Sequence, residues 1–401
     1  MQSVNHSRCR ITQPLYSTLA GCALILGSCL WLILPLLVEA ASVTKIYGSA
    51  VTLPSSIEPL CQAPAVCPDF WDFRPTEGAG IIYGNRALSA DTSCRKSTDG
   101  GRTFTLCPGA YPVTSVGREI DIPGNGAILS LRFENTAQNH CVLDKSTDAG
   151  VSWSTITIVA GAGIQCAPAS SQFKGEKLRC VGAICLAYVR PASGRSDIYR
   201  SIDNGDTWAL VSAGAAPSNC STAQGLFFDG GVGVATCQRN LSLDATAARV
   251  STDSGASWSY FIAPAGPTVD YCGVASNLAG FDTSYALACF SDGTLTAIRF
   301  LSTNANVRTP GAQPAFAFNA FSNPALFQLN VTNAWIFTLD STAVGHVLFT
   351  SDSGQTINEI SASVDGTFRP TRLNQGRVYQ GALMVTVDIG GVPAFALLQG
   401  S

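Results

Sequence analysis

An eight-residue pattern returns along this chain at a nearly constant interval. Ser97-Thr-Asp99-Gly-Gly101-Arg-Thr-Phe104 recurs as Ser146-Thr-Asp148-Ala-Gly150-Val-Ser-Trp153. It returns as Ser201-Ile-Asp203-Asn-Gly205-Asp-Thr-Trp208, as Ser251-Thr-Asp253-Ser-Gly255-Ala-Ser-Trp258, and more weakly as Thr350-Ser-Asp352-Ser-Gly354-Gln-Thr-Ile357. The aspartates stand 49, 55, 50 and 99 residues apart. The last interval is double, and a decayed copy, Ser302-Thr-Asn304-Ala-Asn306-Val-Arg, occupies its middle. A fixed period of this length means one supersecondary unit stacked on copies of itself.

Each residue type in the pattern has a local task. An aspartate in a tight turn accepts bonds from nearby backbone N–H groups, and glycine supplies the positive φ that closes the turn. Serine or threonine adds a hydroxyl bond, and the terminal aromatic ring buries a large apolar surface. Turn closure and packing thus account for Asp99, Gly101, Asp148, Gly150, Asp203, Gly205, Asp253, Gly255, Asp352 and Gly354 without a catalytic or metal-binding role. Between the copies lie strand-length apolar runs bounded by turn residues, such as 80–84, 127–133, 182–189 and 285–290. No sustained helical period follows the N-terminal segment. Only 13% of residues are charged and 46% are hydrophobic, as expected of strands covered on both faces.

The pattern resembles the Asp-box, or bacterial neuraminidase repeat, of the sialidase-like superfamily. The resemblance implies an all-β fold, a β-propeller, with the motif between the third and fourth strands of each blade. Phe73-Arg-Pro-Thr76 opens the first repeat and Phe368-Arg-Pro-Thr371 recurs six periods later. The tail beyond holds three further strand-like runs, 375–380, 382–388 and 394–399, and residues 42–53 could supply a fourth strand to close the ring. Seven blades are expected on that count, six if the tail is an extension.

Residues 1–40 read as an export element. Leu19 to Val38 is apolar throughout, and Val38-Glu39-Ala40 suits cleavage after Ala40. Twenty residues is long for a signal peptide and enough for a membrane anchor, so both readings stand. Either places residues 41–401 outside the cytoplasm, secreted, periplasmic or membrane-anchored. Twelve of the 15 cysteines follow this segment, an even number that reads as a disulfide framework. Spacing nominates Cys94 with Cys107, Cys166 with Cys185, Cys220 with Cys237, and Cys272 with Cys289. No Cys-x-x-Cys occurs and there are three histidines, so no metal site or cofactor is expected. The net charge of −3 excludes the strongly basic face of a nucleic-acid binder.

If the chain were sialidase-like, the resemblance would assign Arg74 to the substrate carboxylate, Asp91 to acid/base work, and Tyr271 or Tyr379 to the nucleophile. Such a tyrosine needs a neighbouring glutamate to act near neutral pH. The chain has seven glutamates, and none lies between 177 and 358, where the family's glutamate belongs. The expectation is therefore a non-catalytic, disulfide-braced propeller that binds a glycan or an extracellular protein. A sialidase-like exo-glycosidase and a scaffold like the photosystem assembly factors are the alternatives.

Overall fold

The computed structural model describes residues 42–48, 70–76, 82–86, 94–98, 104–109, 118–132, 140–160, 177–192, 195–213, 220–228, 230–239, 247–262, 269–276, 285–291, 298–302, 307–308, 325–328, 333–340, 342, 344–352, 355–359, 370–379, 382–389 and 392–399. All belong to one compact unit, Glu39–Ser401. The apolar segment before it, Asp91, Asp99, Gly101, Cys166 and Gly354 lie outside the described residues.

Strand β1 (Ser42–Gly48) comes first. A sheet follows from β2 (Phe70–Pro75), β3 (Ile82–Arg86), β4 (Cys94–Ser97) and β5 (Thr105–Leu106). The second has β6 (Arg118–Asp121), β7 (Ile128–Arg132), β8 (His140–Ser146) and β9 (Ser154–Ala160). The third has β10 (Leu178–Val181), β11 (Ile184–Ala192), β12 (Arg195–Ser201) and β13 (Ala209–Ser212), and the fourth β14 (Cys220–Phe228), β15 (Gly233–Arg239), β16 (Ala247–Ser251) and β17 (Ser259–Ile262). The fifth comprises β18 (Val269–Ser276), β19 (Tyr285–Ser291), β20 (Ile298–Ser302) and β21 (Val307–Arg308). The sixth comprises β22 (Ala325–Gln328), β23 (Ala334–Leu339), β24 (Gly345–Thr350) and β25 (Asn358–Glu359). The seventh takes β26 (Pro370–Tyr379), β27 (Ala382–Ile389) and β28 (Val392–Gln399), with β1 at its edge in the order β26-β27-β28-β1.

Every sheet is a four-stranded antiparallel meander except the seventh, whose outer strand comes from the other end of the described chain. First strands pack in a cycle: β2 on β6, β6 on β10, β10 on β14, β14 on β18, β18 on β22, β22 on β26, and β26 back on β2. Sheets arranged around their first strands in this way have the architecture of a β-propeller. Among the described residues there is no helix.

The core lies between successive sheets. Leu129, Leu131 and Leu143 of the second sheet pack with Leu178, Ala187 and Val189 of the third, and Trp208 leans on the same cluster. Leu186 and Tyr188 of the third sheet pack with Leu226, Phe228 and Ala235 of the fourth, joined by Trp258. Tyr83 of the first sheet meets Ile120 and Ile128 of the second, beside Trp153. The repeat's aromatic residue therefore seals seams between sheets, a large share of the apolar burial per residue.

The repeated turns follow one geometry, seen best in the second, third and fourth sheets. Ser201 Oγ donates to Asp203 Oδ1 (2.7 Å) and accepts from Gly205 N–H (2.8 Å). Asp203 also accepts from Thr207 N–H (2.9 Å) and Thr207 Oγ1 (2.6 Å). Asp148 and Asp253 bind Ser152 and Ser257 in the same way. The two residues after each aspartate both have positive φ: 59° and 87° at Ala149 and Gly150, 58° and 85° at Asn204 and Gly205, 58° and 78° at Ser254 and Gly255. That is the φ pattern of a type I′ turn, whose twist suits a hairpin. Each glycine also abuts the preceding sheet. A Cβ on Gly205 would stand 2.7 Å from Leu129 Cδ1, and one on Gly255 2.7 Å from Leu186 Cδ2.

Cys94 and Cys107 form a disulfide across the first sheet's turn. The pairing expected for Cys185 is corrected: its partner is Cys180, directly opposite it on the β10–β11 hairpin with Cα atoms 4.1 Å apart. Two adjacent strands put facing cysteines within bonding reach whatever the intervening length, and a search for long spans overlooks a pair five residues apart. Cys141 is also disulfide-bonded. Cys272 and Cys289 are register partners, while Cys220 faces Arg239 and Cys237 faces Ala223. The side chains of these four lie outside the described part.

Candidate functional site

Charged side chains gather where the first strands meet. Strand β6 carries Glu119 and Asp121 at alternate positions, both 1% exposed, so period-two alternation puts them on one face of the strand. Burying carboxylates is expensive unless every lone pair is met. Here each reaches the backbone of the next sheet. Glu119 Oε2 accepts from the N–H groups of Lys177 and Leu178, the latter at 2.9 Å. Asp121 Oδ2 accepts from Cys180 N–H at 2.6 Å, and its Oδ1 accepts from Ile122 N–H at 2.8 Å. The sheet on the other side supplies a cation: Arg74 Nε lies 2.6 Å from Asp121 Oδ1.

Burial pushes the Asp121 carboxyl above the ordinary carboxylate value, while Arg74, Arg377 and the two N–H donors pull the other way. Lys177 is a mirror case, its ammonium pushed down by burial and supported by Glu119. Charged groups on β26, β2 and β6 and backbone N–H groups of β10, from four successive sheets, thus converge on these two carboxylates. Both carboxylates are committed to backbone donors and Arg74 to Asp121. Each of these contacts ties one sheet to the next.

A second chain of links joins the corners. Lys145, one residue before the corner serine, donates to Asn204 O (2.9 Å) and pairs with Asp206 (2.7 Å) in the next sheet's corner. Arg200 occupies the same place one sheet on and donates to Ser254 O at 2.9 Å. The corner aspartates Asp148 and Asp253 have carboxyls held at about 2, chiefly by the hydroxyls of Ser152 and Ser257. At Asp203 burial works against the shift, but the Thr207 and Ser201 donors outweigh it and the value is again about 2. In the sixth sheet His346 sits between Glu359 Oε1 (2.8 Å from Nδ1) and Asp340 Oδ2 (3.2 Å from Nε2). Both ring nitrogens therefore face carboxylates.

Of the residues that a sialidase would use, Arg74 has a described side chain, and the arrangement of the others around it lies outside the described residues. Arg74 lies on β2, while Tyr271 and Tyr379 occupy β18 and β26, opposite Phe290 and Ala382. Their side chains lie outside the described part. The inter-sheet roles of Glu119 and Asp121 carry no local sequence signal, since their partners are 58 and 59 residues away. The corner cations do carry one: Lys96, Lys145 and Arg200 all stand immediately before the motif serine.

No protein-family model matches the chain, and no curated protein matches it. Solved structures do. YCF48 bound to D1 peptide is similar at 14% identity with a TM-score of 0.53, over 88% of this chain and 100% of that one. A GH74 xyloglucanase from Xanthomonas campestris is similar at 15% identity and a TM-score of 0.55, over 82% of this chain and 52% of that one. The polysaccharide lyase Uly1 is similar at 9% identity and 0.50, over 91% and 100%. These neighbours are β-propeller proteins. Identity this low carries the fold and not the activity.

Proposed function

We propose that this chain is a non-catalytic binding module, an Asp-box propeller of seven blades that recognises a glycan or an extracellular protein outside the cytoplasm. One observation carries the reading: Glu119 and Asp121, the inner-strand carboxylates whose side chains are described, are spent on the backbone of the adjoining sheet, with Arg74 spent on Asp121. Most glycosidases need a pair of carboxylates free to protonate a leaving group and to attack or activate water, and a sialidase-like one needs a free acid and a tyrosine activated by a glutamate. Seven four-stranded sheets whose first strands pack in a cycle favour the seven-blade count over six. Disulfides favour an oxidising compartment, reached through residues 1–40 as signal or anchor. That a similar fold holds a peptide in the YCF48 structure makes a peptide ligand chemically reasonable for this architecture.

The test is a pair of assays on the purified chain. A fluorogenic sialoside should show no turnover, while glycan and extracellular-protein arrays should show discrete, saturable binding. Turnover abolished by Tyr271→Phe or Tyr379→Phe would overturn the binding reading.

A further inference from the structure

The sixth sheet holds a histidine between two carboxylates drawn from its neighbouring strands. His346 is the second residue of β24 and is 6% exposed. Its Nδ1 lies 2.8 Å from Glu359 Oε1 on β25, and its Nε2 lies 3.2 Å from Asp340 Oδ2, directly after β23. The corner of this sheet, 350–357, follows the end of β24. The turn between Asp340 and Val344 precedes that strand, so it occupies the opposite end of the sheet.

Asp340 organises the turn. Its N–H donates to Val344 O at 2.8 Å, and its Oδ1 accepts from Thr342 N–H (2.8 Å), Thr342 Oγ1 (2.7 Å) and Val344 N–H (2.8 Å). Burial pushes the Asp340 carboxyl up, but the donors from Thr342, Val344 and His346 outweigh it and hold the group below its ordinary value. Oδ1 thus serves the turn, while Oδ2 faces the imidazole. Strand β23 sets the uncharged Thr338 opposite His346 in register, and β22 has no titratable residue. On β26, which also packs on β24, Arg377 acts on Asp121, and the side chains of Arg372 and Tyr379 lie outside the described part.

A neutral imidazole has one N–H and one bare lone pair, whereas an imidazolium donates at both nitrogens. We propose that His346 is a proton-operated clamp: charged, it grips Asp340 and Glu359 together, and neutral, it lets go of the Asp340 turn. The Nδ1 contact is the shorter of the two, and Asp340 keeps three donors on Oδ1, so the neutral imidazole stays with Glu359. Nε2 then turns its lone pair on an ionised oxygen, and the turn carrying Thr342 and Val344 loses its tie to the sheet. The proton comes from solvent and returns to it. The tie is therefore complete in acid and is lost as pH rises through the titration of the imidazole. This end of the sheet has two states that differ by one proton, whatever ligand the propeller holds.

Hydrogen exchange of the full chain, corrected for the intrinsic pH dependence of exchange, reads the clamp at about pH 5 and about pH 8. The amides of Thr342 and Val344 should be roughly tenfold better protected in acid, the scale of one charge-assisted hydrogen bond. His346→Gln should abolish the difference. Asp340→Asn supplies an N–H that suits the bare Nε2 of the neutral imidazole, so the order should reverse and protection should be better at the higher pH. Equal protection of the unaltered chain at both pH values, or a difference that survives His346→Gln, would overturn the proposal. If a variant does not fold, 1H–15N correlations of the His346 imidazole in the unaltered chain decide. Two protonated nitrogens in acid and a proton on Nδ1 alone at the higher pH support the clamp; one unchanging protonation state would overturn it.

Discussion

Alanine at Gly205 and alanine at Gly182 impose one shared burden and one that differs. Both glycines have positive φ, 85° and 58°. A Cβ at Gly182 meets nothing within 4 Å, whereas at Gly205 it would press on Leu129, which is fully buried. Left-handed backbone costs an L-residue about 1–2 kcal/mol, of which ~0.4–1 is returned because alanine stiffens the unfolded chain. Gly182→Ala should therefore destabilise by about 1 kcal/mol. Gly205→Ala adds the penalty of overpacking a filled seam, about 1–3 kcal/mol, for a total near 2–4 kcal/mol. Equilibrium urea unfolding under non-reducing conditions measures both, with the slope required to stay constant so that midpoints report stability. In a double mutant, Leu129→Val should recover part of the Gly205→Ala loss and none of the Gly182→Ala loss. Equal destabilisation by the two alanines would refute the idea that the corner glycine is needed for close approach as well as for φ.

The corner carboxyls near 2 lie below the ordinary 3.8, so their stabilisation is complete above pH 4 and is lost as pH falls through about 2. Thermal melts should show this decline, and Asp203→Asn should flatten it. Asp121 acts in the opposite sense: its value is raised, so its contribution is fullest in acid and weakens as pH rises through it. Arg74→Ala leaves Asp121 buried without its direct ion pair and should cost about 3–5 kcal/mol in urea titrations. Adding Asp121→Asn should restore part of that loss; a double mutant weaker than Arg74→Ala alone would count against the pairing. Replacing both cysteines of the Cys180–Cys185 hairpin by serine should cost less than the same change at Cys94–Cys107. Loop-closure entropy gives about 2 kcal/mol for 5 residues and about 3 kcal/mol for 13.

Much of the architecture was legible because its determinants are local. A Ser-x-Asp-x-Gly turn closes on its own side chains within four residues, as Ser146 and Asp148 do, and so marks the sequence wherever it occurs. Strands such as Ile128–Arg132 and Tyr285–Ser291 stand out as apolar runs between turn residues. The inner network was not legible. Glu119 and Asp121 look like ordinary alternating acids on a short strand, and only the approach of Lys177, Leu178 and Cys180 from the next repeat gives them partners. Span length points from Cys185 to Cys166, whereas a hairpin with Gly182 at its tip brings Cys180 directly opposite. Basic residues before the motif serine were in plain view at Lys145 and Arg200, but their target carbonyls, Asn204 O and Ser254 O, belong to a different repeat.

Strand β1 pairs along its length with β28, from Ser42 opposite Gln399 to Gly48 opposite Ala394. Tension applied at Ser42 along the strand axis strains these bonds together, in shear, and does not peel them one after another. The strand that completes the last sheet is thereby also its mechanical clasp. A load that enters at Ser42 is therefore met by the whole row of β1–β28 rungs at once, and no single rung carries it alone.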